Sequence, residues 1–99
     1  MTITETHKNN KLTIALSGRL DVLASPTLQD ILTPAFETEP HIELDFTDLA
    51  YVSSAGLRVL LVSQKAAKTK DVLFTISNVS EEVMEILDMT GFSDILTIV

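Results

Sequence analysis

Between Ile42 and Leu61 the spacing of apolar residues changes once, from a strand period to a helix period, and this confines the chain to few folds. Ile42, Leu44 and Phe46 alternate with Glu43, Asp45 and Thr47, the two-residue period of a strand with one apolar and one polar face. A tight acidic turn around Asp48 is expected next. Past Tyr51-Val52-Ser53-Ser54-Ala55-Gly56-Leu57 the spacing becomes helical, with Ala55, Val59, Val62 and Ala66 as the expected buried row of a helix running to about Lys68. Arg58, Lys65 and Lys68 form its wet side. A parallel strand covered on both faces reads as a nearly continuous apolar run, so the acidic alternation predicts a sheet with helices mainly on one face.

The rest of the chain repeats this alternation. A short strand is expected near Ile3. Leu12, Ile14 and Leu16 alternate with Thr13, Ala15 and Ser17 in a second strand ending at Gly18. Ser25 followed by Pro26 reads as a helix start, serine as cap and proline at the first helical position, with Leu28, Ile31, Leu32 and Ala35 on one face. Pro34 removes a backbone donor there and predicts a kink or an early end. Asp71 is expected to open another strand, with Val72, Phe74 and Ile76 on one side and Leu73 and Thr75 on the other. Ser80 then caps a third helix, Val83, Ile86, Leu87 and Thr90 share a face, and Gly91 stops it. The tail from Ile95 to Val99 reads as a final strand or short helix. The expected architecture is a single α/β domain over residues 1–99, a four- to five-stranded mixed sheet.

Composition removes several function classes. With 99 residues, 45% of them apolar, the chain supports one core and no separate catalytic domain. A net charge of −7 argues against direct nucleic-acid binding, which needs a basic footprint, and favours a protein partner. The start Met1-Thr2-Ile3-Thr4-Glu5 lacks the pattern of a secretory signal, and no apolar run approaches the ~20 residues of a membrane span, so no membrane insertion and a cytoplasmic location are expected. The absence of cysteine excludes thiolate catalysis and disulfides. His7 and His41 stand apart without a ligand pattern, and no Gly-rich phosphate loop is present, so neither metal nor cofactor is expected. Ser54 lacks the glycine two residues earlier that a hydrolase elbow carries. An enzyme is not expected.

Ser53 and Ser54 stand where a helix begins. A hydroxyl there sits at the positive end of the helix dipole, beside free backbone N–H groups, and suits either a cap or a phosphate. On local chemistry alone the cap is the commoner role.

The order strand, Gly18-Arg19-Leu20-Asp21, helix, Ile42-Glu43-Leu44-Asp45, Tyr51-Val52-Ser53-Ser54-Ala55-Gly56-Leu57, helix resembles the STAS domain family over essentially the whole chain. In particular it is similar to the small bacterial anti-sigma factor antagonists. The resemblance implies a partner switch: the unphosphorylated antagonist binds an anti-sigma factor that is also a serine kinase, freeing a sigma factor. Phosphorylation ends the interaction and a metal-dependent serine phosphatase restores it. Ser54 falls at the family's phosphorylated serine. Where many members carry aspartate before it and serine after it, this chain has Ser53 and Ala55, which makes Ser53 a rival acceptor. Asp21 matches an acidic loop residue beside the site, Asp45 an acidic residue at the end of the central strand, and Gly56 and Leu57 fit the motif. Arg58, Leu57 and Leu61 are the expected partner-binding residues. The alternative is a constitutive STAS adaptor, in a transporter-associated or scaffold complex, in which Ser54 carries no phosphate.

Overall fold

The computed structural model describes residues 1–99. Strands β1 (Thr2–Lys8) and β2 (Lys11–Leu20) lead into helix α1 (Ser25–Ala35), followed by β3 (His41–Val52), α2 (Ser54–Lys70), β4 (Leu73–Ser77) and α3 (Glu81–Thr90), with a short 3-10 turn at Phe92–Asp94. The four strands form one mixed sheet in sequence order, β1 antiparallel to β2 and the other neighbours parallel. β1 and β2 are joined by Asn9 and Asn10, both in the left-handed region (φ 53° and 63°), the backbone that a two-residue hairpin with the natural strand twist requires.

The sheet has one dry face. Leu12, Ile14 and Leu16 of β2, Ile42, Leu44 and Phe46 of β3, and Phe74 and Ile76 of β4 share a single core cluster with Leu28 and Leu32 of α1, Leu57 and Leu60 of α2, and Val83 and Leu87 of α3. The expected one-sided layering is therefore present. The opposite face carries hydrogen-bonded polar groups in place of a helix layer. Lys11 Nζ and Ser77 Oγ donate to the two oxygens of Glu43 at 3.0 and 2.7 Å, and His41 Nε2 lies 3.0 Å from Thr75 Oγ1. Thr75 and Ser77 are buried on that face, which makes β4 almost wholly enclosed.

Several boundaries depart from the sequence reading. β3 has no acidic turn; it runs unbroken to Val52 and absorbs extra residues as bulges, Ala15 and Ser17 of β2 facing Asp45 and Asp48, and Gly18 and Arg19 facing Leu49 and Tyr51. Asp45 Oδ1 holds the first bulge by accepting from Thr47 N (3.0 Å), Thr47 Oγ1 (2.6 Å) and Asn78 Nδ2 (3.0 Å). Each bulge shifts the alternation, which is how Phe46, Leu49 and Val52 all reach the core. β2 likewise continues past Gly18 to Leu20. Ser25 does not cap α1. It is the buried first helical residue, and its hydroxyl donates back to Asp21 O at 2.6 Å. Pro34 ends α1 one residue later, as its missing donor dictates. Asp71 opens no strand: it is the left-handed C-cap of α2, with φ 58°. The tail makes a single parallel bridge, Ile98 to Ile76, beside β4.

Candidate functional site

The junction of β3 and α2 is built by Ser53. Its backbone is extended (φ −80°, ψ 172°), and its Oγ accepts from Gly56 N at 3.1 Å, which makes it the N-cap of α2. The same Oγ donates to Leu20 O at 2.9 Å, and Ser53 N donates to that oxygen at 2.9 Å. Ser53 is 7% exposed, its hydroxyl engaged as donor and acceptor. Ser54, the first helical residue, is exposed and enters none of these bonds. Sequence reasoning left the cap open between the two serines. The structure divides them into a buried joint and a free hydroxyl.

Gly56 fixes how closely α2 approaches β2. A Cβ added there would lie 2.8 Å from Leu20 Cγ and 2.9 Å from Leu20 O. Only glycine permits this contact, so Gly56 and Ser53 grip the same residue from two sides. Leu20 is followed by Asp21, whose Oδ1 accepts from Leu23 N (3.1 Å) and Ala24 N (2.9 Å) and so folds the turn that enters α1. Asp21 thus shapes the neighbouring loop, and Leu20 ties that loop to the start of α2.

The tied loop carries Val22, 66% exposed, and Leu23, 86% exposed; Val22 faces the first turn of α2 at Ala55 and Arg58, and Leu23 lines a depression with Met1, Ile3 and Thr27. Sequence reading passed over both. Their signal was faint: two consecutive apolar residues between a strand and a helix, claimed by the period of neither. A shallow depression between α1 and α2 is lined by Val22, Pro26, Gln29, Ala55, Arg58 and Val59. Of the residues expected to bind a partner, Arg58 is exposed and Leu61 half-buried, but Leu57 is 8% exposed and belongs to the core. Val62, expected inside, is 38% exposed; the buried face of α2 is Gly56, Leu57, Val59, Leu60, Ser63, Gln64 and Ala67. The helix is rotated because Ser53, the residue before it, anchors its first turn on Leu20.

Asp45 lies on the open face of the sheet, where its bonds to Thr47 and Asn78 hold its carboxyl below the usual carboxylate range. Its part is in the bulge. Glu43 is lowered in the same way, by Ser77 and then Lys11.

An α/β domain with helices on one face of a mixed sheet, and an exposed serine directly after the cap of its second helix, is the class defined by these features. The STAS domain model matches residues 2–99, and the chain belongs to that family. It is 29% identical over 89 residues to the anti-sigma-B factor antagonist of Bacillus subtilis (strain 168), an alignment covering 90% of this chain and 82% of that one. Among solved structures it is similar to a putative anti-sigma factor antagonist from Thermotoga maritima, with a TM-score of 0.89 at 16% identity over 97% of this chain and 84% of that one. The anti-sigma factor antagonist SpoIIAA in its unphosphorylated form matches with a TM-score of 0.83 at 17% identity, covering 99% and 88%. SpoIIAA in the phosphorylated form matches with a TM-score of 0.78 at 16% identity, covering 99% and 91%.

Proposed function

We propose that this chain is a non-enzymatic anti-sigma factor antagonist whose binding to an anti-sigma serine kinase is controlled by reversible phosphorylation of Ser54. The observation that carries the reading is the division of the serine pair. Ser54 offers a free, exposed hydroxyl at the start of a 17-residue helix, while Ser53 is buried in the cap. Phosphorylating Ser53 would break the cap and both of its bonds; phosphorylating Ser54 costs no native contact.

A phosphate on Ser54 adds about −1.5 to −2 charges at neutral pH and sits at the positive end of α2, so the fold accommodates it. Gly56 N is taken by the Ser53 cap and Leu57 N by Ser53 O, which leaves the amides of Ser54 and Ala55 as the donors nearest such a group. The charge acts outward instead. It falls one helical turn before Arg58, which lines a depression with Ala55 and Val22, and a partner that covers this surface meets repulsion and lost contact. That SpoIIAA has been solved in unphosphorylated and phosphorylated forms supports the reading by analogy. An anti-sigma factor with serine kinase activity, a serine phosphatase and a cytoplasmic location go with it.

The test is phosphopeptide mapping after incubation with ATP and a lysate of the source organism, alongside Ser54→Ala. Phosphate on Ser54 that is lost in the variant is the expected result. Its absence, while the lysate phosphorylates a control substrate, would overturn the reading in favour of a constitutive adaptor.

A further inference from the structure

We propose that the free edge of β1 is a homodimer interface, in which two copies pair their β1 strands antiparallel about a twofold axis at Thr6, setting Glu5 of each copy opposite His7 of the other. β1 is an end strand with a neighbour on one side only. All of its residues are exposed except Ile3, which is half-buried. The other end of the sheet is partly closed, since Ile76 N donates to Thr97 O and Val99 N to Ile76 O, both at 2.9 Å. β1 lacks two of the usual guards of an open edge, proline and a bulge, its register with β2 running without a break from Thr2 to Lys8, and its charged residues Glu5 and Lys8 guard only against partners that leave them unmatched.

Hairpin geometry decides which groups face outward. A two-residue turn of this kind closes on a hydrogen-bonded pair, here Lys8 and Lys11, and pairs then alternate along the ladder. Lys8, Thr6, Thr4 and Thr2 therefore turn their amides and carbonyls to β2, whereas His7, Glu5 and Ile3 turn theirs to solvent. A second strand can pair only where outward residues meet outward residues. The register that sets Glu5 against itself brings two carboxylates into opposition, and the one that sets His7 against itself overlaps too few residues. Centring on Thr4 would set each Glu5 against Ile3 and leave the carboxylate without a partner, whereas centring on Thr6 removes all these faults: Glu5 meets His7 twice, Thr4 meets Lys8 twice, and Thr6 meets Thr6. The imidazole of His7 already lies 3.0 Å from Glu39 through Nε2, and in its imidazolium form it offers the N–H of its other ring nitrogen to the incoming carboxylate. This self-complementary order is what selects a second copy as the occupant.

The chain has no cysteine, so one introduced thiol can form only an intermolecular disulfide. Thr6 would face its counterpart as a non-hydrogen-bonded pair with Cα atoms about 4.5 Å apart, within disulfide reach. Under mild oxidation Thr6→Cys is expected to cross-link about tenfold faster than Thr4→Cys or Glu5→Cys, whose counterparts lie diagonally and beyond easy reach. Glu5→Pro, which removes an outward amide and spares the ladder to β2, is expected to sediment as a monomer where the parent dimerises, at about 1 mM. The proposal is overturned by a parent that stays monomeric at that concentration with no preference for Thr6→Cys, by fastest cross-linking through Thr4→Cys or Glu5→Cys, or by a dimer that survives Glu5→Pro.

Discussion

The Ser53 hydroxyl and the Ser53 amide both donate to the carbonyl oxygen of Leu20, each across 2.9 Å. One oxygen thus receives two donors from a residue 33 positions away, and the end of β2 is fastened to the start of α2. The fastening is also the cap of the helix, so a single side chain serves both purposes.

Ser53→Ala is therefore expected to lower stability by about 1–2 kcal/mol, through loss of the cap and of one bond to Leu20. Ser54→Ala should stay within about 0.5 kcal/mol of the parent, because an exposed hydroxyl outside the cap is removed. Urea denaturation of the two variants side by side checks this; equal midpoints would contradict the division of roles.

Gly56→Ala raises helix propensity by about 1 kcal/mol, yet is expected to destabilise. The new methyl would lie 2.8 Å from Leu20 Cγ and 2.9 Å from its carbonyl, and a backbone oxygen cannot swing aside. Overpacking of this kind typically costs about 1–3 kcal/mol. Thermal unfolding reads the net sign, at about 4–8 °C per kcal/mol for a domain of this size.

Acid should weaken the open face of the sheet. Glu43 is lowered by Ser77 first and Lys11 next, and Asp45 by Thr47 and Asn78. Both titrate lower folded than unfolded, so their stabilisation is complete above the ordinary carboxylate range, about pH 4, and is lost as pH falls through the lowered folded values. Ser77→Ala removes the largest cause at Glu43, and denaturant midpoints measured from about pH 6 to about pH 3 should then show a shallower acid loss than in the parent. An unchanged slope would contradict the assignment.

Leu23→Asp tests the docking surface without disturbing the core. Leu23 is 86% exposed, so stability should move by no more than about 0.5 kcal/mol. If the anti-sigma partner seats on this loop, affinity should fall at least about tenfold by calorimetry, since an apolar contact is replaced by a charge. Unchanged affinity would place the docking surface elsewhere.

The elements were legible where one period ran without interruption. Leu12 to Leu16, Ile42 to Phe46 and Ser80 to Gly91 each appear as their spacing and caps predict. Reading failed where backbone geometry changes the period. The bulges between Asp45 and Tyr51 leave three apolar residues at intervals of three, which resembles a turn followed by a fresh strand. Ser53 and Ser54 are chemically the same, and only the position of Leu20, set by folding β2 beside β3, decides which of them is buried. Leu57 lies inside because the buried face of α2 is set by the contact of Gly56 and Ser53 with Leu20, which no local spacing reveals. Burial of Thr75 and Ser77 was likewise hidden, since it depends on His41 and Glu43 across the sheet.

Leu20, clasped by Ser53 and with no room for even a methyl beside Gly56, leaves the first turn of α2 no freedom to slide on β2. The Asp21 turn must follow any tilt of the helix, because it begins at the very next residue. Ser53 and Leu20, 33 positions apart in the chain, thus form one joint that sets the start of α2 and the Asp21 turn in a single fixed relation.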